Sequence, residues 1–374
     1  MSQVLGSKEL LAAVHERDLC IGCGACVEIC PYFKNFRGKT AQLFACTLPQ
    51  GRCFAYCPKV EVDLEELYQL TWRQSYAGTA LGPIRQILAA AAGPGMEPGA
   101  FQGGGTVSAL MAFALKKGLL DVATLTQRDG LIAAPLLVTD WSQVAKAGGS
   151  KFMAAPTLAG VNSAVRQGYQ KIGVVGTPCQ MTAVAQMRAN PLNKVEHRVP
   201  VALTIGLFCN WSLDTRQLND LLEGRVALDS IRAMDIPPPP ANVLVLDTDQ
   251  GKMEISLSEV KPLIPHTCFT CLDMTSELAD LSVGMYEGRE KWNTLIVRSE
   301  TGARLVEDAV KEAFVIVEPM PEVNTTHLAN AAAAKKERSM RILIQRGLIN
   351  TVNGTHAVVR MPSAAMEKIL PAKK

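Results

Sequence analysis

The stretch Cys20–Pro31, CIGCGACVEICP, sets four cysteines in the pattern C-x2-C-x2-C-x3-C-P, and its reading decides how the N-terminal part folds. Three thiols in so tight a loop can wrap three corners of one iron–sulfur cubane. The fourth lies on the segment that follows, points away, and in two-cluster chains ligates the other cluster. Gly22 and Gly24 let the loop bend and aim backbone N–H groups at sulfide. A second stretch, CTLPQGRCFAYCP from Cys46 to Pro58, ends in the same Cys–Pro pair. By that exchange Cys20, Cys23, Cys26 and Cys57 are expected to bind one 4Fe–4S cluster. Cys30, Cys46 and Cys53 are left for a second.

The second set has only three thiolates, with Pro49 where the usual second cysteine would fall. Its spacing, C-x6-C-x3-C-P, resembles that of seven-iron ferredoxins, whose three-cysteine cluster is 3Fe–4S. A 4Fe–4S cluster with a non-cysteine fourth ligand is the other reading. A zinc ribbon would use paired C-x2-C knuckles instead.

Outward from the cysteines, 374 residues have room for two or three domains and a sizeable core. Hydrophobic residues make up 48% and charged residues 20%, which places the chain among globular proteins. A net charge of +3, with no Lys/Arg stripe, does not point to nucleic acid. The apolar runs IAAPLLV and VPVALTIGLF are too short for a membrane span. The N-terminus carries charges throughout and does not read as a secretory signal. Eleven cysteines in such a chain imply a reducing compartment and metal binding, so a cytoplasmic protein is expected.

The pattern divides the chain into a two-cluster ferredoxin-like module (1–67), an α/β domain with a mixed sheet (75–313) and a small C-terminal helix-and-hairpin extension (325–374). The overall class is α+β or α/β. Strands are expected at KIGVVG (171–176) and VALTIGLF (201–208), and helices at TVSALMAFALKKG, TLAGVNSAVRQGY and CQMTAVAQMRA. DIPPPPAN (235–242) must be an exposed connection. NVLVLDTDQGKMEISL reads as a hairpin around Asp249–Gly251, and LINTVNGTHAVVR as one turning at Asn353–Gly354. Between the hairpins a helix is expected from Leu328 to Arg346, amphipathic with a basic side, with packing or docking as its role.

Four cysteines remain. Cys179 follows a strand in GTPCQ, Cys209 ends the next strand in GLFCN, and Cys268 and Cys271 form HTCFTCLD. Strand ends on one edge of an α/β sheet converge on a crevice, so the four can complete one site. The competing reading is two buried single cysteines and a redox or zinc pair.

From about Tyr76 to Ala313 the sequence resembles the family of coenzyme F420-reducing hydrogenase/dehydrogenase β-subunits. The motifs are GGGTVSALMAFALKKGLLD, GSKF, KIGVVGTPCQMTAV, GLFC, CFTCLDMTSELADLSVG and NTLIVRSETG, in the family's order and approximate spacing. The resemblance implies FAD beside a 4Fe–4S cluster, with Cys179, Cys209, Cys268 and Cys271 as the ligands of that cluster.

GGGTVSAL places glycines before an apolar helix, whose first N–H groups and dipole can receive phosphate. No clear strand is seen before it, and G-x-G-x-x-G is not formed, so it is not a Rossmann fingerprint. By itself it reads as a loop and a capped helix. Through the resemblance, Gly103, Gly104, Thr106, Val107 and Ser108 look like the FAD-contacting loop. Ser150 and Lys151 look like further contacts, with Lys151 offering charge to phosphate or to the flavin ring. Thr177 and Gly284 are expected to line the same cleft. Asp280 either hydrogen-bonds the cofactor or caps a turn. His266 either donates to a cluster sulfur or is a satisfied polar residue.

No Ser/His/Asp or paired-carboxylate constellation stands out, so the chemistry is assigned to the flavin and not to a side chain. The expectation is an oxidoreductase subunit converting hydride to single-electron transfer, with coenzyme F420 or ferredoxin as soluble carrier and other redox subunits as partners. A ferredoxin-linked subunit of a hydrogenase, formate dehydrogenase, heterodisulfide-reductase-like or methylene-tetrahydrofolate-reductase-like complex is the alternative. A non-enzymatic ferredoxin-like adaptor is a further one.

Overall fold

A computed structural model describes residues 3–371 apart from 98, 100, 238–239 and 352–356. Eight strands form the central sheet: β1 (Gln86–Ala92), β2 (Val122–Asp129), β3 (Ile132–Val138), β4 (Ile172–Gly176), β5 (Val201–Leu207), β6 (Leu281–Met285), β7 (Asn293–Val297) and β8 (Val315–Pro319). Their order is β8-β1-β7-β6-β5-β4-β2-β3. Neighbours β6, β5, β4 and β2 run parallel. β7 is antiparallel to both β6 and β1, so β1 points the same way as the parallel set. The two edge strands β3 and β8 are antiparallel to their neighbours. Five carboxyl ends therefore lie along one edge, the side on which open α/β sheets bind ligands.

The runs of β4 and β5, apolar but for Thr204, suit strands covered on both faces. β1, with the sequence QILAAAA, does precede the glycine loop, contrary to expectation. Its alanines have the propensity of a helix, but Ala89, Ala90 and Ala91 are buried between β8 and β7. β8 also carries the sheet past the expected boundary at 313.

Five helices matter to the site: α1 (Thr106–Lys116), α2 (Thr157–Arg166), α3 (Pro178–Ala189), α4 (Glu300–Lys311) and α5 (Glu322–Gln345). α1 and α4 pack with Phe113, Leu305 and Phe314 on one core. α2 and α3 belong to another, which also takes in Leu10, Phe33 and Tyr56 of the N-terminal module and Met340, Leu343 and Val358 near the C-terminus. The module and the sheet domain therefore share one buried interior.

Residues 231–256 form a separate antiparallel sheet of three strands, including the expected hairpin, in which Thr248 pairs with Gly251. The proline run leads into it with Pro240 exposed. The expected C-terminal hairpin is not formed. Ile349–Asn350 and Val359–Arg360 pair in parallel, and Val359–Arg360 also pairs in parallel with Val62–Asp63. Arg360, in ion pairs with Glu61 and Asp63, draws the segment to the module. The predicted turn at Asn353–Gly354 lies outside the described residues. Among the described residues no helix is long and apolar enough to cross a membrane.

Candidate redox site at the sheet edge

Cys179 lies at the start of α3, after the carboxyl end of β4, where Thr177 and Pro178 begin the helix. Cys209 follows β5, the neighbouring strand. Its N–H donates to Met274 O (2.9 Å), which ties the strand end to the loop carrying Cys268 and Cys271. Burial pushes the Cys179 thiol up to about 11, and Cys271 and Cys268 contribute as negative neighbours. Burial likewise raises Cys209, which senses Cys179, Cys268 and Cys271. The four cysteines of widest sequence spacing are thus brought together.

The N-terminal thiols fall into groups by the same measure. Burial raises Cys23 and Cys26; Cys57 and Cys26 press on Cys23, and Cys57 and Cys20 on Cys26. Burial lifts Cys57 to about 12, with Cys20 among its neighbours. Burial takes Cys53 to about 11, with Cys30 and Cys46 as its thiol neighbours. Two links join the groups: Cys26 senses Cys53, and Cys23 senses Cys179. Thr267 Oγ1 donates to Leu19 O (2.8 Å), beside Cys20, and Lys59, near Cys57, donates to Thr267 O (3.2 Å), so the 20/23/26/57 group lies against the loop of Cys268 and Cys271. All eleven cysteines are free. Metal binding takes the proton from each thiol that becomes a ligand. Among the described residues no three metal-ligating side chains gather around a single-ion position. A cubane, whose thiolates ligate separate irons, does not require that.

The glycine loop sits on the same edge, between β1 and α1. Its glycines are explained by close packing: a Cβ on Gly103 or Gly104 would lie 2.9 or 2.7 Å from the Asn293 amide. Asn293 Oδ1 accepts from Thr106 N (3.3 Å), and its Nδ2 donates to Gly284 O (3.2 Å). A Cβ on Gly284 would in turn lie 1.9 Å from the ring of Phe208, the neighbour of Cys209. A continuous line of contacts thus runs from the loop to the third thiol group.

Gln102 Oε1 accepts from Ser150 N (2.6 Å), joining the GGSKF turn to this loop. The Lys151 ammonium is turned inward, donating to the carbonyls of Ala147, Gly148 and Gly149. Burial, with Arg128 adding repulsion, lowers its pKa to about 8. Gly105, with φ +73°, begins α1 with no side-chain cap. The buried Thr106 hydroxyl has no partner among the described residues, and Val107 and Ser108 are half-buried. Asn293 takes only the first N–H of α1, so the N–H groups that follow it, beside a tight glycine turn, fit a phosphate-bearing cofactor. Thr177, by contrast, belongs to the thiol group, with Oγ1 3.3 Å from Cys179 Sγ.

Residues 87–162 match "Coenzyme F420 hydrogenase/dehydrogenase, beta subunit N-term", and residues 169–323 match the C terminus of the same subunit. The chain belongs to this family of beta subunits. Residues 13–32 match a 4Fe-4S binding domain. The beta subunit of coenzyme F420 hydrogenase from Methanosarcina barkeri is 28% identical over 66% of this chain and 86% of its own length. A component of the F(420)H(2) dehydrogenase of Methanosarcina mazei is 24% identical over 83% of this chain and 88% of its own length. A chain of the F420-reducing [NiFe] hydrogenase complex of Methanosarcina barkeri superposes with a TM-score of 0.65 at 25% identity, covering 71% of this chain and 94% of that one. Like these relatives, this family member is an oxidoreductase.

Several residues of this beta-subunit homologue were not legible as site residues. Lys335, on α5, is buried against the third thiol group; Lys59, after Cys57–Pro58, donates to Thr267 O (3.2 Å) and Thr270 Oγ1 (2.9 Å) beside the late cysteine pair. Asn293 and Phe208 connect the loop to the thiols. Asp280 accepts from Thr204 N (2.9 Å) and Thr204 Oγ1 (2.7 Å), and Arg188 lies 3.4 Å away, so it joins strands and helix. His266 lines a shallow opening with Phe269, Ile342 and Arg346.

Proposed function

We propose that this chain is the flavin- and iron–sulfur-holding subunit of an F420-linked oxidoreductase complex. Cys179, Cys209, Cys268 and Cys271 would hold one 4Fe–4S cluster and Cys20, Cys23, Cys26 and Cys57 another. Cys30, Cys46 and Cys53 would hold a third centre with three or four irons. FAD would lie along the glycine loop, with the start of α1 facing its phosphates. When bound, a flavin exchanges a hydride as an electron pair, and iron–sulfur clusters pass electrons one at a time.

The observation that carries this reading is the shared edge. The glycine loop, Gly284, Cys179 and Cys209 all follow or end strands that point the same way. From β1 to β5 is three strand spacings, about 15 Å. The residues themselves provide placement: Asn293 fixes the loop, Phe208 separates it from the thiols, and α2 holds the N-terminal group against the domain.

The test is anaerobic reduction of the purified, cofactor-loaded protein. Reduced F420 should bleach the flavin absorbance, and the flavin should be released on denaturation as FAD. Bleaching by reduced ferredoxin but not by reduced F420 would assign the ferredoxin-linked role. A protein with no releasable flavin would leave only an electron-transfer adaptor.

A further inference from the structure

Two adjacent lysines on α5, Lys335 and Lys336, are each only 2% exposed, but their surroundings differ. Lys336 is paired with the buried Glu277 carboxylate, which also accepts from Tyr68 Oη. Lys335 makes no carboxylate ion pair among the described residues. Its Nζ donates to Cys209 O (2.6 Å) and Asp273 O (2.7 Å), two neutral carbonyls that flank the third thiol group. The Asp273 carboxylate itself accepts from the N–H groups of Thr275 (2.9 Å) and Glu277 (2.8 Å). An ammonium buried on neutral acceptors alone is costly, because desolvation is not matched by an opposite charge.

We infer that Lys335 is the fixed counter-charge of the third thiolate group and that it raises the reduction potential of a cluster held there. The inference rests on the proposed assignment of Cys179, Cys209, Cys268 and Cys271 to one cluster. Four thiolates around a cubane give a net negative centre, and one-electron reduction adds one further negative charge without making or breaking a bond. Lys335 keeps its proton in both states. Its attraction is stronger for the reduced state, which shifts the equilibrium toward reduction. Lys336 has no such net effect, since Glu277 cancels it.

The test is a redox titration of the anaerobic, fully loaded protein with dithionite and mediators, read by electron paramagnetic resonance. The third cluster is identified as the signal missing from Cys179→Ser. In Lys335→Met and Lys335→Gln the ratio of reduced to oxidised third cluster, at the wild-type midpoint, should fall at least tenfold, about 59 mV for a one-electron couple. Lys335→Arg should restore it to within about threefold. The charge-neutral double variant Lys336→Gln/Glu277→Gln should leave it in place. An unchanged ratio in a neutral Lys335 variant with its full iron content would overturn the inference, as would an equal shift in the double variant. If the neutral variants fail to keep the third cluster, recovery of iron and potential in Lys335→Arg supports the charge, and failure of that variant too refutes it. A wild-type protein with no third cluster would instead refute the ligand assignment beneath it.

Discussion

Asn162 provides a sharp test of how the N-terminal module is held. It is buried on α2, and its Nδ2 donates to both Ala25 O (3.0 Å) and Val27 O (2.7 Å), the carbonyls that bracket Cys26. Leu158 N donates to Cys23 O (3.0 Å) on the same loop. Asn162→Ala removes one donor group and strands two acceptors. An unsatisfied buried group costs ~1–3 kcal/mol, so with two acceptors stranded the loop should lose about 2–6 kcal/mol of anchoring. At ~1.4 kcal/mol per decade, that is a factor of roughly 30 to 20,000 in the equilibrium for local opening.

The assay is anaerobic iron release to an excess of chelator. Where the loop recloses faster than the chelator attacks, the rate follows the open population. About a third of the iron, that bound by the Cys20/Cys23/Cys26/Cys57 group, should leave at least ~10 times faster than in the wild type. The iron at the sheet edge should be unaffected, since its cysteines sit on other elements. Release of all iron within twofold of the wild-type rate would show that these two hydrogen bonds do not hold the loop.

Cys179→Ser should lower iron from about eleven or twelve per chain by about four and spare the module; loss of all clusters together would break the partition of thiols. For Lys151 the sign is that of a base whose folded pKa, about 8, lies below its ordinary value, so it carries its charge below about pH 8 and loses it above. FAD affinity of the apoprotein should therefore fall as pH rises through 8, while Lys151→Met shows a flat profile; titration calorimetry reads both. Gly284→Ala forces a methyl group onto the Phe208 ring and should destabilise the protein by ~1–3 kcal/mol. Adding Phe208→Leu should recover part of that loss in a denaturation experiment; strict additivity would mean the two side chains are not in conflict.

The proposed grouping of the cysteines could be read because iron–sulfur ligation imposes local spacing: Cys20 to Cys30 lie on one loop, and Cys57–Pro58 repeats its ending. Strand ends could be guessed for Cys179 and Cys209, since β4 and β5 are short runs apolar but for Thr204. Side chains that act across hundreds of residues left no such trace. Nothing in AAAAKKERSM distinguishes Lys335 from a solvated lysine, since the pattern of a helix does not say what lies against it. β1 was hidden because alanine favours helices until burial between two neighbouring strands selects for small side chains. The C-terminal hairpin failed for a related reason: turn chemistry at Asn353–Gly354 is local, whereas the ion pairs of Arg360 with Glu61 and Asp63 are not.

That last strand has a consequence for biogenesis. Arg360 meets its partner Glu61 across 299 positions of sequence, so at ~5–20 residues per second the ribosome needs roughly 15–60 s to deliver the closing segment. Throughout that interval the module's cysteines are already made while one flank stays open. Iron and sulfide donors acting during synthesis would have that interval of access, and the segment around Arg360 would then close behind the metal.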